Sequence, residues 1–134
     1  LFRYTEESFM YKWIADQKRT TYLVVGNNTD LDRSTTKYIK DFGLDIAYEN
    51  TPSFNKNYFT TVIGDYILDT ILDMNTANEI DRLYKNNCEW NEAVSKQLSA
   101  ILSNLKRSKV VIYRNKKKAQ LLRKKLMNYF VFYK

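Results

Sequence analysis

Two short apolar runs, Tyr22-Leu23-Val24-Val25 and Val110-Val111-Ile112-Tyr113, constrain this chain more than any other feature, because each leads within a few residues into a stripe of helical period. Apolar runs of four residues, rich in β-branched and aromatic side chains, are too short for a buried helix and lack polar alternation, so each predicts a strand covered on both faces, that is, a central one. After the first run, Gly26 and the loop 27–30 lead into a helix marked by Leu31, Tyr38, Ile39 and Phe42, with Gly43 placed to end it. Leu44 to Tyr48 then alternates apolar and polar, which completes a βαβ unit. The second run passes through Arg114-Asn115 into a helix whose packing face is Ala119, Leu122, Leu126, Tyr129 and Tyr133.

The intervening chain fills in the layers. Thr5 caps a first helix over Glu6 to Gln17 that packs through Phe9, Trp13, Met10 and Ile14. Residues 49–57, which contain Pro52, are too few for a crossover helix, so Tyr58 to Ile63 is expected to pair antiparallel or sit at an edge. Ile67, Leu68, Ile71 and Leu72 predict a helix from Tyr66 to Met74, and Thr76 to Glu79 reads as a capping box opening the next one through Ile80, Leu83 and Tyr84. Val94, Leu98, Ile101, Leu102 and Leu105 form the strongest helical stripe, expected to pack on the sheet through Val111. The fold class is therefore α/β: one domain over 1–134, with a small mixed, mostly parallel sheet of about four strands flanked by helices. Three glycines and one proline in 134 residues suit a helix-rich fold better than a sandwich or barrel. Cys88 is expected as a small buried hydrophobe. With no apolar run near the ~20 residues that span a bilayer, and no charged-then-apolar leader, a cytoplasmic protein is expected. The chain opens on Leu1 rather than Met, which leaves a further domain before it open.

Charge is distributed unevenly. Residues 106–134 carry eleven Lys or Arg and no carboxylate, against eleven basic and fifteen acidic side chains in the rest, so +11 and −4 combine to the net +7. Lys116, Lys117 and Lys118 fall in the first turn of the last helix, where the dipole and the free N–H groups favour acids. Such a conflict with a local rule marks a candidate functional site. Arg114 with Lys116, Lys117 and Lys118 is read as an anion nest at that helix start, and Arg107, Arg123, Lys124 and Lys125 extend the candidate phosphate-contacting set. Aromatics in the tail, Tyr129, Phe130, Phe132 and Tyr133, lie beside these cations as they do in single-strand binders, although core packing is the commoner role for such spacing.

Several chemistries are excluded. Without histidine there is no imidazole base, phosphotransfer or imidazole zinc site. Gly26, Gly43 and Gly64 are too far apart to write a phosphate-binding glycine loop or a dinucleotide fingerprint, and no cofactor is expected. Asp30, Asp32 and Asp65 are the weak candidates for a cation, the first two being equally well explained as helix-capping residues. Asp65, Asp69 and Asp73 recur at i, i+4, i+8, which on a helix is one acidic stripe, read first as a solvated face, next as a partner for the basic end and last as a metal site. The spacing Tyr58-x-Thr60-x₄-Asp65 is similar to the HxKx₄D signature of phospholipase-D-like domains. Tyr58 and Thr60 stand where that family has its histidine and lysine, so the likeness, over eight residues, implies a sensor-type domain without that catalysis. The leading expectation is a non-catalytic, nucleic-acid-associated domain, either contacting phosphates or serving as the sensing and dimerisation module of a transcription regulator. Its partners would be nucleic acid or another polyanion, with a homodimer among the expected assemblies. The alternatives are a metal-dependent phosphodiester hydrolase and an assembly protein docking an acidic partner.

Overall fold

The computed structural model describes residues 12–14, 16–17, 20–49, 54–104 and 107–130. Strand β1 (Thr21–Val25), helix α1 (Asp30–Lys40) and strand β2 (Leu44–Tyr48) form the expected βαβ unit, the strands parallel in the register Thr21↔Leu44 to Val25↔Tyr48. Thr29 begins α1 with a capping box: its hydroxyl accepts from the Asp32 amide at 3.1 Å, and the Asp32 carboxylate accepts from the Thr29 amide at 2.9 Å. Thr35 and Thr36 are buried but satisfied, donating to the carbonyls of Leu31 and Asp32 at 2.8 Å, and Thr36 also shares a hydrogen bond with the Tyr48 hydroxyl on β2. Gly43, at φ +77°, turns the chain from α1 into β2.

A second sheet is antiparallel, in the order β3 (Tyr58–Ile63), β4 (Tyr66–Ile71), β5 (Lys109–Arg114). The antiparallel edge placement expected for Tyr58–Ile63 is observed. The single, mostly parallel sheet of about four strands is not: the described strands divide into a parallel pair and an antiparallel triplet. The helix expected over Tyr66–Met74 is instead β4. Ile67, Leu68, Ile71 and Leu72 satisfy both periods, and the two-residue Gly64-Asp65 turn decides between them. Gly64 takes φ +57° at the first turn position, where a hairpin turn matched to the strand twist requires glycine. Val110 to Tyr113 proves to be an edge strand, with Val110 and Ile112 on an open face, rather than a central strand covered twice. Among the described residues Tyr22 to Val25 likewise pairs on one side only.

From β4 the chain passes through α2 (Met74–Asn86) and α3 (Glu92–Ser103) to β5, and then into α4 (Lys116–Met127). Asp73, not Thr76, caps α2: its carboxylate accepts from the Thr76 amide at 3.0 Å and hydroxyl at 2.7 Å, so that helix begins earlier than the Thr76–Glu79 pattern suggested. The α3 stripe is buried as expected through Val94 and Leu98, but its partners are Leu31 of α1 and Leu83 of α2 rather than Val111 of the sheet. Ile80, Tyr84, Trp90, Ile101 and Leu102 close around that three-helix cluster. A smaller cluster, Ile39 and Leu44 with Leu23, Phe42 and Ile46, joins α1 to β1 and β2. Cys88 is exposed in the loop between α2 and α3, not buried. The helix expected over Glu6–Gln17 falls mostly outside the described residues, as do Pro52, Leu105, Phe132 and Tyr133; of its packing residues Trp13 is exposed. No helix among the described residues is long and apolar enough to cross a membrane.

Leu98 is 1 % exposed at the centre of the helix cluster. Leu98→Ala should lower unfolding free energy in urea by about 2–5 kcal/mol, and Leu121→Ala, on the outside of α4, by less than about 0.5 kcal/mol. Equal effects of the two substitutions would contradict this packing.

Candidate anion-binding face

Helix α4 lies across one face of the antiparallel sheet, against β3 and β4, with Ala119 fully buried at the contact. The register directs Tyr58, Thr60, Ile67, Asp69, Val111 and Tyr113 toward that face. Asp69 is thus a carboxylate in an interior position, 8 % exposed, and its oxygens are saturated. Tyr58 donates to it at 2.5 Å, Thr60 at 2.8 Å and Tyr113 at 2.9 Å, while the Lys118 ammonium stands 3.9 Å away. Lys118 also donates to the Tyr113 hydroxyl and lies 5.0 Å above the ring centre, so Tyr113 passes a hydrogen bond from α4 through to the carboxylate.

The other inward cations of α4 make similar attachments. Arg123 donates to the Gly64 carbonyl in the hairpin turn, and the Lys125 ammonium sits 4.2 Å over the Phe54 ring. Arg114, at the end of β5, pairs with Asp65 at 3.3 Å, and the Asp65 carbonyl accepts from the Asn115 amide at 3.0 Å. The turn that follows α4 reaches the parallel pair: Tyr129 donates to Glu49, just after β2, and Phe130 meets the Tyr22 ring of β1 edge-to-face at 5.1 Å.

The eight candidate anion-binding residues therefore separate into three groups. Arg114, Lys118, Arg123 and Lys125 are occupied within the chain. Lys116, Lys117 and Lys124 are exposed and have no partner among the described residues. Arg107 lies beyond the other end of β5, roughly 20 Å from Arg114 at strand rise, and lines a cleft of about 740 Å³ with Asp73, Asn75, Thr76, Glu79 and Asn104. Arg114 and the three lysines do not converge on one point: Lys118 turns inward under the helix and Arg114 turns to Asp65. At the helix start the Asn115 side chain accepts from the Lys118 amide at 3.0 Å, which leaves the Lys116 and Lys117 amides without an intrahelical partner.

The candidate cation ligands fall on two separate elements, Asp30 and Asp32 in the first turn of α1 and Asp65 in the β3–β4 turn. Asp30 stands 3.8 Å from Arg33, Asp32 serves the α1 cap, and Asp65 serves Arg114 in the hairpin turn. Among the described residues no three carboxylate or cysteine groups converge on a metal position. Tyr58 and Thr60, the positions that correspond to the histidine and lysine of phospholipase-D-like domains, point at Asp69 rather than at Asp65.

Burial raises the Asp32 carboxyl above its ordinary value, against the Thr29 bonds that lower it. At Asp69 burial also pushes upward, but the bonds from Tyr58, Thr60 and Tyr113, with the nearby Lys118 charge, bring its carboxyl below the ordinary value. Tyr58 is raised by burial and by its bond to Asp69, and Lys118 is raised chiefly by its bond to Tyr113. Asp69, Tyr58 and Tyr113 did not enter the candidate site on sequence grounds. The signal was present in the Ile67-x-Asp69 spacing, which on a strand sends the carboxylate to the same side as the fully buried isoleucine. Comparison with known proteins gives no match to any family model, curated protein or solved structure.

A carboxylate whose folded pKa is depressed adds stability that is full above its unfolded value and fades as pH falls through the folded one. Asp69→Asn should cost about 1–3 kcal/mol at pH 7, because an amide cannot accept from three hydroxyls as a carboxylate does. The gap between wild type and variant should narrow below about pH 4, where the unfolded chain's carboxyl begins to take up its proton. Urea unfolding from pH 7 down to 2.5 checks this, and a gap constant across that range would contradict the assignment.

Proposed function

We propose that this chain is a non-catalytic, nucleic-acid-associated domain that contacts phosphates through the outer face of α4. The observation that carries this reading is the division of the helix's cations. Those facing the sheet are occupied, whereas Lys116, Lys117 and Lys124 face solvent on a helix with no acidic residue to neutralise them. Lys117 and Lys124 are two turns apart, about 10.5 Å along the axis, so they present charge on one side of a single cylinder. A helix of that width enters a major groove or lies along a backbone, and the unbonded amides at its start add donors that favour phosphate. These contacts carry no base information, so the expected binding is tolerant of sequence.

Hydrolysis is disfavoured by the commitments of Asp30, Asp32 and Asp65 to a cap and to ion pairs. The choice between nucleic acid and an acidic protein partner is made by titration. Binding to single-stranded DNA, duplex DNA and RNA should weaken with salt, and Lys116→Gln/Lys117→Gln/Lys124→Gln should reduce the log–log slope by about 2–3, at 0.7–0.9 per contact. Its melting temperature should stay equal or rise slightly, since two of the three lysines oppose the helix dipole. Unchanged affinity and slope in the triple variant would remove nucleic acid as the ligand of this face, and the absence of salt-dependent binding in wild type would favour the acidic-protein reading.

A further inference from the structure

The antiparallel sheet has a second face, and α4 does not cover it. By the same register that points Asp69 inward, Phe59, Ile63, Tyr66, Leu68, Val110 and Ile112 point to the opposite side, with Thr61 and Thr70 as the polar side chains among them. Ile63 and Ile112 are each 65 % exposed, Val110 60 % and Tyr66 54 %. Both pairings run without a bulge from Tyr58↔Ile71 to Ile63↔Tyr66 and from Tyr66↔Arg114 to Ile71↔Lys109, so this surface is regular across three strands. The one formal charge on it is Arg114, at a corner and paired with Asp65. A contiguous apolar surface of this kind is a binding face rather than ordinary scattered exposure.

We infer that this face stacks on the same face of a second copy of the chain, giving a weak symmetric dimer that does not depend on the anion-binding reading. Three features select a second copy. First, apart from Arg114 at its corner, which is paired with Asp65, the face offers no charge to complement a charged partner, and a partner that matches it must itself be regular, largely apolar and sheet-like. A copy related by a two-fold axis has that surface by construction. Second, the arrangement separates charge. The basic helix is on the far side of each sheet, so sheets stacked about 10 Å apart, each with a helix about 10 Å behind it, hold the two α4 helices about 30 Å apart. That is several times the ~8 Å screening length at physiological salt, so a chain of net charge +7 self-associates here with the least repulsion between its cationic ends. Third, the size sets the strength. Three strands at about 4.8 Å spacing and six residues at about 3.3 Å rise give a footprint of roughly 300 Å² per copy, well below the ~800 Å² per partner of a standard stable interface. The dissociation constant is expected between about 10 μM and 1 mM.

Sedimentation velocity on the full chain from about 5 μM to 1 mM tests this. The weight-average mass should rise from monomer toward dimer across that range. Tyr66→Glu and Ile112→Glu, at positions exposed enough to take a charge without unfolding, should each weaken association at least tenfold with an unchanged melting temperature. Tyr66 lies on the central strand, so its substitution also separates face-to-face stacking from pairing at the free edges of β3 and β5. A wild type that stays monomeric to 1 mM, or a Tyr66→Glu variant that associates like wild type, would overturn the inference.

Discussion

A single carboxylate, Asp69, sits where the sheet is covered by its helix, and the placement of α4 depends on how that charge is satisfied. In an interior position an unpaired carboxylate is strongly unfavourable. Three hydroxyl donors on β3 and β5 and one ammonium on α4 resolve the problem together, and each has a fixed address in the register. Because Tyr113 both accepts from Lys118 and donates to Asp69, the position of the helix and the pairing of the strands are coupled through one hydroxyl. Neither sheet is large enough to be independent: two parallel strands, or three antiparallel strands with one face uncovered, are marginal without helices against them. α4 contacts the antiparallel sheet through Lys118 and Asp69, and the residues that follow it, Tyr129 and Phe130, reach Glu49 and Tyr22 at the parallel pair.

This geometry accounts for part of the mismatch between the first turn of α4 and its dipole. Lys118 is unfavourable toward the dipole but has Asp69, Tyr113 and the tyrosine ring as compensation, so its presence has a structural cause. Lys116 and Lys117 have no such compensation among the described residues. Three consecutive lysines that look alike in sequence thus play two roles, and the helical period of 100° per residue is what separates them. Arg114 and Lys118 each face a carboxylate, so the surface field of the basic end is smaller than eleven cations suggest.

How much was legible in the sequence follows from which signals were local. The βαβ unit was readable because its run, loop, helix stripe and glycine stop are consecutive and each agrees with the next. α4 and its packing face were readable from Ala119, Leu122 and Leu126 for the same reason. β4 is not legible from its apolar positions because Ile67, Leu68, Ile71 and Leu72 fit either period, and the deciding feature, glycine at the first of two turn residues, is a signal of turn geometry rather than of side-chain period. A helical period there puts Asp65, Asp69 and Asp73 on one stripe. In the structure one is in a turn, one is on a strand and one is a helix cap, and two of them meet the basic end as countercharges. Val110 to Tyr113 was taken as doubly buried because apolar continuity does not distinguish a central strand from an edge strand with an apolar open face. Cys88 has the residue type of a buried position, but the chain there is the exposed loop between two helices.

Helix α4 has an inner side attached to the antiparallel sheet and an outer side of exposed lysines, which we propose contact phosphate. Lysine acylation followed residue by residue by mass spectrometry, with and without excess single-stranded DNA, tests this most directly. Lys118, whose ammonium is held protonated by Tyr113 and Asp69, should react slowest in the free protein, while Lys116, Lys117 and Lys124 should react readily and become protected when DNA is added. Lys96, on α3, serves as the internal reference and should be unaffected. Uniform reactivity along α4, or DNA protection no greater at Lys116, Lys117 and Lys124 than at Lys96, would contradict the claim.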